Sequence, residues 1–291
     1  MAITRQRPSI SSPIAKSFFG IQRVISPLTR SEIEGSGFTL AEMPEGYVQD
    51  KTFGSWGQLA TMGLKTSHMI LQGEVSGGKD IFAPAYASTF NLPHMSFAFK
   101  AGLAPNEWVC RTDLVEGPRG GTITEIVEGS LMKACRGVTV KRDFTMMSQE
   151  ARTSLKASME KALWTVTDVD GTFTITVPAV ILFSDYDRAS PEQLEVLRQA
   201  LELNKERLVH PVTGELIPIL KGTRFIFTAN SGSDGAENSN NLFNAKDGSL
   251  LSRLVAVHVP PITKSFEREV IKVAYPSIHL DDITILVNCI H

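Results

Sequence analysis

The sequence predicts an α/β fold with a mainly parallel sheet flanked by helices. Three observations carry that expectation. Short apolar runs of strand length, among them 68–72, 92–99, 177–183, 224–230 and 255–259, alternate with stretches of helical spacing. Val177-Pro178-Ala179-Val180-Ile181-Leu182-Phe183 is apolar throughout, as suits a central parallel strand covered on both faces. Polar residues end the key runs: a glycine-rich loop after 68–72, Asp185 after 177–183 and Asn230 in 224–230. They would converge at the carboxyl edge of the sheet, where ligands bind in open α/β folds.

Composition narrows the class. With 291 residues, 42% hydrophobic and 21% charged, the chain can bury a sizeable core, expected as one large domain and a small one. A net charge of −2 gives no electrostatic reason to expect nucleic acid or an anionic membrane as partner. No apolar run approaches the roughly 18 residues that a membrane helix needs. Cys110, Cys135 and Cys289 are sparse, odd in number and without metal-like spacing, which fits a reducing, cytoplasmic setting.

In chain order, residues 1–50 read as an irregular arm, punctuated by Pro8, Pro13, Pro27 and Pro44. Basic residues precede the first acid, Glu32, a composition shared with organelle transit peptides. The preferred reading is an extended arm docked on a neighbouring subunit. The core spans 51–262. Residues 56–64 suit a short helix, 122–127 a hairpin strand and 128–135 a helix. Residues 138–176 have the character of an insertion: Ser148 caps a helix to about Leu163, and 165–176 form a hairpin around Gly171. Its Asp168-Val169-Asp170-Gly171 lacks the full calcium-loop spacing and reads as a turn. Ser190-Pro191-Glu192 opens a helix to about Leu203, with a serine cap, proline at the first position and an acid in the first turn. Residues 210–215 suit a hairpin turn and 231–241 a loop. Pro260-Pro261 precedes an amphipathic helix over 265–274, and a last helix begins near Asp281. Residues 263–291 would start a small helical lid.

The chemistry is concentrated in Gly73-Glu74-Val75-Ser76-Gly77-Gly78-Lys79-Asp80, which lies between a predicted strand and a predicted helix. It fits the phosphate-loop pattern G-x-x-x-x-G-K-[ST] except at its last position, where Asp80 stands in place of Ser or Thr. Glycines let successive N–H groups turn toward a phosphate, the following helix adds its positive end, and Lys79 supplies a point charge. The hydroxyl that would hold Mg²⁺ is replaced by an anion. The alternative for Lys79 is a surface lysine on a glycine-rich turn.

Beyond this loop, the order of motifs along the chain resembles the AAA+ ATPases, and within them the MoxR branch and the AAA+ subunit of cobaltochelatase. Arg111-Thr112-Asp113-Leu114-Val115, Gly129-Ser130-Leu131-Met132-Lys133-Ala134, Ser184-Asp185-Tyr186-Asp187-Arg188-Ala189-Ser190-Pro191, Phe225-Ile226-Phe227-Thr228-Ala229-Asn230 and Ser252-Arg253 are similar to that family's motifs, in the same order. The likeness covers about residues 60–278. It implies a P-loop AAA+ core with a short helical lid, assembled into a hexameric homo-oligomeric ring that binds ATP with Mg²⁺ between subunits. It also implies a remodelled partner, often one carrying a von Willebrand A domain. By the same resemblance, the backbone of Gly73, Glu74, Val75, Ser76, Gly77 and Gly78, with Lys79 and Asp80, would hold the nucleotide. Asp80, Ser184 and Asp185 would stand at the metal, Asp185 and Asn230 would face the attacking water, and Arg253 would act on a neighbour's nucleotide.

The chain departs from that pattern at Asp80, at Ser184 where the metal-supporting Asp belongs, at Asp185 where a Glu belongs, and in the insertion. A non-hydrolysing AAA+ scaffold is therefore the rival expectation. Each residue also has a plainer role open to it: Asp185 as an acid at the start of a helix, Asn230 as a turn former, Arg253 in a surface ion pair and Asp187 as a brace for the turn after it. His94, His210 and His258 have no second ligand near them in sequence, so no metal is assigned to them.

Overall fold

The computed structural model describes residues 15–44, 47–50, 54–74, 77–100, 106–116, 120–202, 207–210, 212–230 and 248–290. The expected loop at 231–241, Val75, Ser76, the turn 117–119 and the first fourteen residues of the arm lie outside them. The elements are β1 (Ala15–Phe18), β2 (Ile21–Val24), α1 (Arg30–Gly35), β3 (Thr39–Leu40), α2 (Trp56–Gly63), β4 (Met69–Gly73), α3 (Lys79–Phe90) and β5 (Pro93–Ala98). Then come α4 (Asn106–Val109), β6 (Cys110–Glu116), β7 (Thr122–Glu128), α5 (Ser130–Arg136), β8 (Val138–Asp143), α6 (Gln149–Lys161), β9 (Thr165–Val169), β10 (Thr172–Val177) and β11 (Val180–Ser184). The chain continues through α7 (Pro191–Ala200), β12 (Arg207–Val209), β13 (Leu216–Pro218), β14 (Arg224–Asn230), α8 (Gly248–Leu251), β15 (Val255–Val259), α9 (Lys264–Ala274) and α10 (Leu280–Ile290).

The mixed α/β class holds. Six strands form one sheet in the order β15-β4-β14-β11-β5-β3, with every pairing parallel except that of β3 with β5. The central strands are apolar because both faces are covered: Ile181, Phe183, Phe225, Ile226 and Phe227 are fully buried. Register places Phe183 directly between Phe97 and Phe227. The three rings stack across neighbouring strands, with centroids 5.0 and 5.3 Å apart.

Connectivity fixes where the sheet opens. β4 leads through α3 to β5, three strands away. From β5 the chain returns to β11, then to β14, and finally passes over β4 to β15. Connections leaving β4 and β14 thus run in opposite directions, and right-handed crossovers put them on opposite faces. The loops that leave the carboxyl ends of β4 and β14 therefore pass to opposite faces of the sheet.

The arm differs from the expectation of irregular chain. Its described residues contain a β1–β2 hairpin closed by Phe19-Gly20, both at positive φ (48° and 77°), the geometry of a two-residue I′-type turn. Phe19 is an uncommon residue there, and burial of its ring offsets the local cost. Gly57 makes room for that ring, since a Cβ at 57 would lie 2.3 Å from it. Phe18 packs against Phe82, Tyr86 and Phe90, which recur every fourth residue on α3. Arg23 donates from Nη1 to the Tyr86 hydroxyl and from Nη2 to the Ala162 carbonyl, tying the hairpin to α3 and to the end of α6. Arg142 of β8 forms a bidentate pair with Glu32 at 2.8 and 2.7 Å. The described arm therefore packs on its own chain, and β3 extends the core sheet.

Residues 138–176 form a three-stranded antiparallel sheet, β8-β10-β9, crossed by α6. The serine caps at 148 and 190 form as expected, but α7 ends at Ala200 rather than near Leu203. β6 and β7 make a separate hairpin with Leu114 75% exposed. Helices α9 and α10 pack on each other, burying Ile283 and Val287.

Two outcomes are expected. Phe18→Ala removes a fully buried ring and should lower stability by about 3–5 kcal/mol in urea unfolding; a loss below about 1 kcal/mol would refute the packing of the arm. The Arg142 guanidinium holds the Glu32 carboxyl down at about 2, against an ordinary 4.5. Because the folded value is the lower one, this pair stabilises above about pH 4.5 and its contribution is lost as pH falls toward 2. Arg142→Ala should therefore flatten stability against pH in that window, and an unchanged slope would show that the pair is energetically idle.

Candidate functional site

The site is built at the carboxyl ends of β4 and β14, around the loop that carries Lys79. Parallel pairing sets Gly73 beside Asn230 on one side and Val259 on the other. The approach to β15 is so close that a Cβ on Gly73 would lie 2.3 Å from the Val259 carbonyl oxygen. Gly77 has little more space, its Cβ position being 3.3 Å from both Glu74 O and Val259 Cγ1. Gly78 takes φ +77° at the N-cap of α3, a left-handed conformation that glycine adopts without a Cβ penalty. Gly78, as the N-cap of α3, has no side chain with which to cap it, and the first-turn N–H groups lie at the positive end of the helix.

Lys79 is 4% exposed. Its Nζ donates to the carbonyls of Gly73, at 3.1 Å, and of Glu74. Burial lowers its pKa, and the carboxylates of Asp80, Asp187, Asp185 and Glu74 pull the other way. The loop cation is thus folded onto its own loop and faced by acids from the neighbouring strand end.

Asp80, exposed in the first turn of α3, accepts a 2.5 Å hydrogen bond from the buried hydroxyl of Thr228 in β14. Asn230 closes β14 and donates its backbone N–H to Asp187 Oδ1 at 3.2 Å. Asp185 follows β11 in a left-handed conformation, φ +60°, and begins the 3₁₀ turn Tyr186–Arg188. Ser184 turns its hydroxyl to the Phe97 carbonyl, 3.4 Å away across the β5 pairing. Arg253 donates to the Arg198 carbonyl in the last turn of α7 at 2.5 Å, a cation at a helix carboxyl end. The structure therefore gathers Gly73, Glu74, Lys79, Asp80, Asp185 and Asn230 in one region, while the polar contacts of Ser184 and Arg253 lie elsewhere.

Two residues gain a role that sequence reasoning misses. Asp187 reads in sequence as a turn brace; its carboxylate also holds the end of β14 and faces Lys79. Thr228 stands out less, although a hydroxyl two residues before Asn230 shares its face on an otherwise apolar strand, which is a readable signal. His94 is 6% exposed, and burial holds its pKa down at about 4, so it is neutral. His210 Nδ1 accepts from the N–H groups of Val212 and Thr213 and braces its turn. A cavity of about 800 Å³ opens between the arm and the sheet, with His94 and Phe97 in its wall and Asp80 at its edge.

Among the described residues, no group of three or more His, Cys, Asp or Glu side chains is arranged to hold a metal by itself. A hard divalent cation fits the donor chemistry in another way, bound by one carboxylate and completed by phosphates and water. Asp80, exposed in the first turn of α3, has the carboxylate that such a cation would need. Compared with known protein-family models and with curated proteins, the chain matches none.

The closeness of β4 and β15 gives a direct test. Gly73→Ala should destabilise by about 1–3 kcal/mol in urea unfolding. Gly63→Ala, whose Cβ would meet only the Met69 side chain at 3.4 Å, should cost less. Equal effects would show that the approach at Gly73 is not a constraint.

Proposed function

We propose that the protein is an AAA+-type phosphate-loop protein that binds ATP and turns it over slowly. The observation that carries this reading is a buried lysine on a glycine-rich strand-to-helix turn, at the carboxyl ends of β4 and β14, whose crossovers lie on opposite faces of the sheet. In this reading Gly77 and Gly78 leave space for phosphates against the backbone of the loop. Lys79 exchanges the Gly73 and Glu74 carbonyls for phosphate oxygens, and the positive end of α3 faces the same charge. Asp80 would hold Mg²⁺, which neutralises charge between the phosphates. Asp185 and Asp187 lie on the β11 side, from which a water would approach, and Asn230 closes that approach.

Slow turnover follows from the same geometry. Ser184 is committed to the Phe97 carbonyl, and Asp185 is a short carboxylate on a left-handed residue. A base must come within about 2.6–3.2 Å of the water it activates, and misplacement on the order of 1 Å can cost about 10²-fold in rate. These contacts also favour the rival form of the proposal, a scaffold subunit that binds nucleotide without hydrolysing it. Assembly into a hexameric ring, with a von Willebrand A domain protein as client, belongs to the same proposal. Within such a ring Arg253 would have to leave the Arg198 carbonyl to reach a neighbour's nucleotide.

Lys79→Ala should abolish ATP and ADP binding in calorimetry, because it removes the loop's cation; unchanged affinity would refute the phosphate site. Phosphate release by the purified chain should be slow. Brisk release, lost in Lys79→Ala, would instead exclude the scaffold form.

A further inference from the structure

We infer that Asp80, latched by Thr228, makes this loop a cation-gated phosphate site: it admits a polyphosphate only as its complex with a hard divalent cation of the Mg²⁺ or Mn²⁺ type. The inference rests on the proposed phosphate loop and adds a rule for when that loop is occupied.

In the ordinary pattern the residue after the lysine carries a neutral hydroxyl, which tolerates a bare polyphosphate and a metal-bound one alike. Here that position carries a carboxylate, exposed at the mouth of the loop. Beside a metal-free polyphosphate the two anions repel. With a divalent cation between them, the same carboxylate becomes a direct oxygen ligand and the sign of the interaction reverses. Asp80 therefore makes affinity depend on the cation rather than merely spoiling the site.

Thr228 makes Asp80 a fixed ligand. The residue is 2% exposed, and its hydroxyl donates to Asp80 Oδ1 at 2.5 Å, across from β14 to α3. One carboxylate oxygen is thereby held to the sheet, and the residue itself is exposed. Lys79 alongside has its ammonium on the Gly73 and Glu74 carbonyls, so it does not occupy Asp80 through a hydrogen bond. Asp187 and Asp185 add negative charge on the β11 side, which further disfavours a bare polyphosphate. Thr228 is thus a positioning residue, acting on the cation through Asp80.

The test is calorimetric titration of ATP into the full chain, in excess Mg²⁺ and again in EDTA. The parent should bind on the order of 100-fold more weakly in EDTA, the scale expected for like charges a few ångströms apart at an effective dielectric near 20. Asp80→Asn should lose most of that difference, keeping only the smaller part due to Asp185 and Asp187. Thr228→Val should keep the loop but shrink the Mg²⁺ dependence by about tenfold, and Thr228→Ser, which restores the donor, should recover it; thermal unfolding of each variant reports folding separately. Equal parent affinity in Mg²⁺ and EDTA would overturn the gate while leaving the phosphate loop standing. A Thr228→Val profile identical to the parent's would overturn the latch. No binding by the parent or by Asp80→Asn in either condition would overturn the gate together with the phosphate loop.

Discussion

A lysine that is almost wholly withdrawn from water is the constraint on which the rest of this structure turns. Burying an ammonium without partners is prohibitive, so Lys79 is tolerated only where backbone carbonyls and nearby carboxylates compensate it. That requirement explains the local architecture. β4 must end where its own last carbonyls can fold back on the side chain. β14 must bring Thr228 and Asn230 to the same edge, and β11 must release the chain into a turn that keeps Asp185 and Asp187 close. The parallel register of the three strands meets all three demands together.

The register itself is held away from the site. Phe183 stacks between Phe97 and Phe227, and a slip of one residue in any of the three strands would carry its ring to the opposite face. At the amino edge, Arg224 is buried and spent on the carbonyls of Leu64, Thr223 and Lys65, and His68 Nδ1 accepts from the Phe225 N–H. Polar groups at that edge close backbone ends. At the carboxyl edge they face one another around a loop whose helix begins on a glycine N-cap. The difference between the two edges is why the second is the candidate site.

The described arm serves the same end from the opposite side of α3. Phe18 and Phe19 cover the outer face of the helix whose first turn carries Lys79 and Asp80. Arg23 links that face to the insertion, and Arg142 links the insertion back to α1. Arm, insertion and loop helix thus form one mechanically continuous unit, and a disturbance of the hairpin would be felt at α3.

The sequence by itself determined the elements whose cause is local. The apolar runs, the serine caps at 148 and 190, the hairpin at Gly171 and the glycine-lysine loop between strand and helix were all legible, because period, capping chemistry and turn residues act within a few positions. Only the tertiary structure decided the rest. The arm looked irregular because its order comes from contacts about 60 residues away, such as Phe18 with Phe82, which no local pattern encodes. Asp185 and Asp187 stand two positions apart in one turn, and it was the path of β14 that gave Asp187 the Asn230 N–H. Arg253 and Ser184 read as site residues because of where they stand in the chain, yet each found a nearer carbonyl. Asp80 read as a defect in its motif; its hydrogen bond to Thr228, 148 positions along the chain, is a relation that only the folded sheet creates.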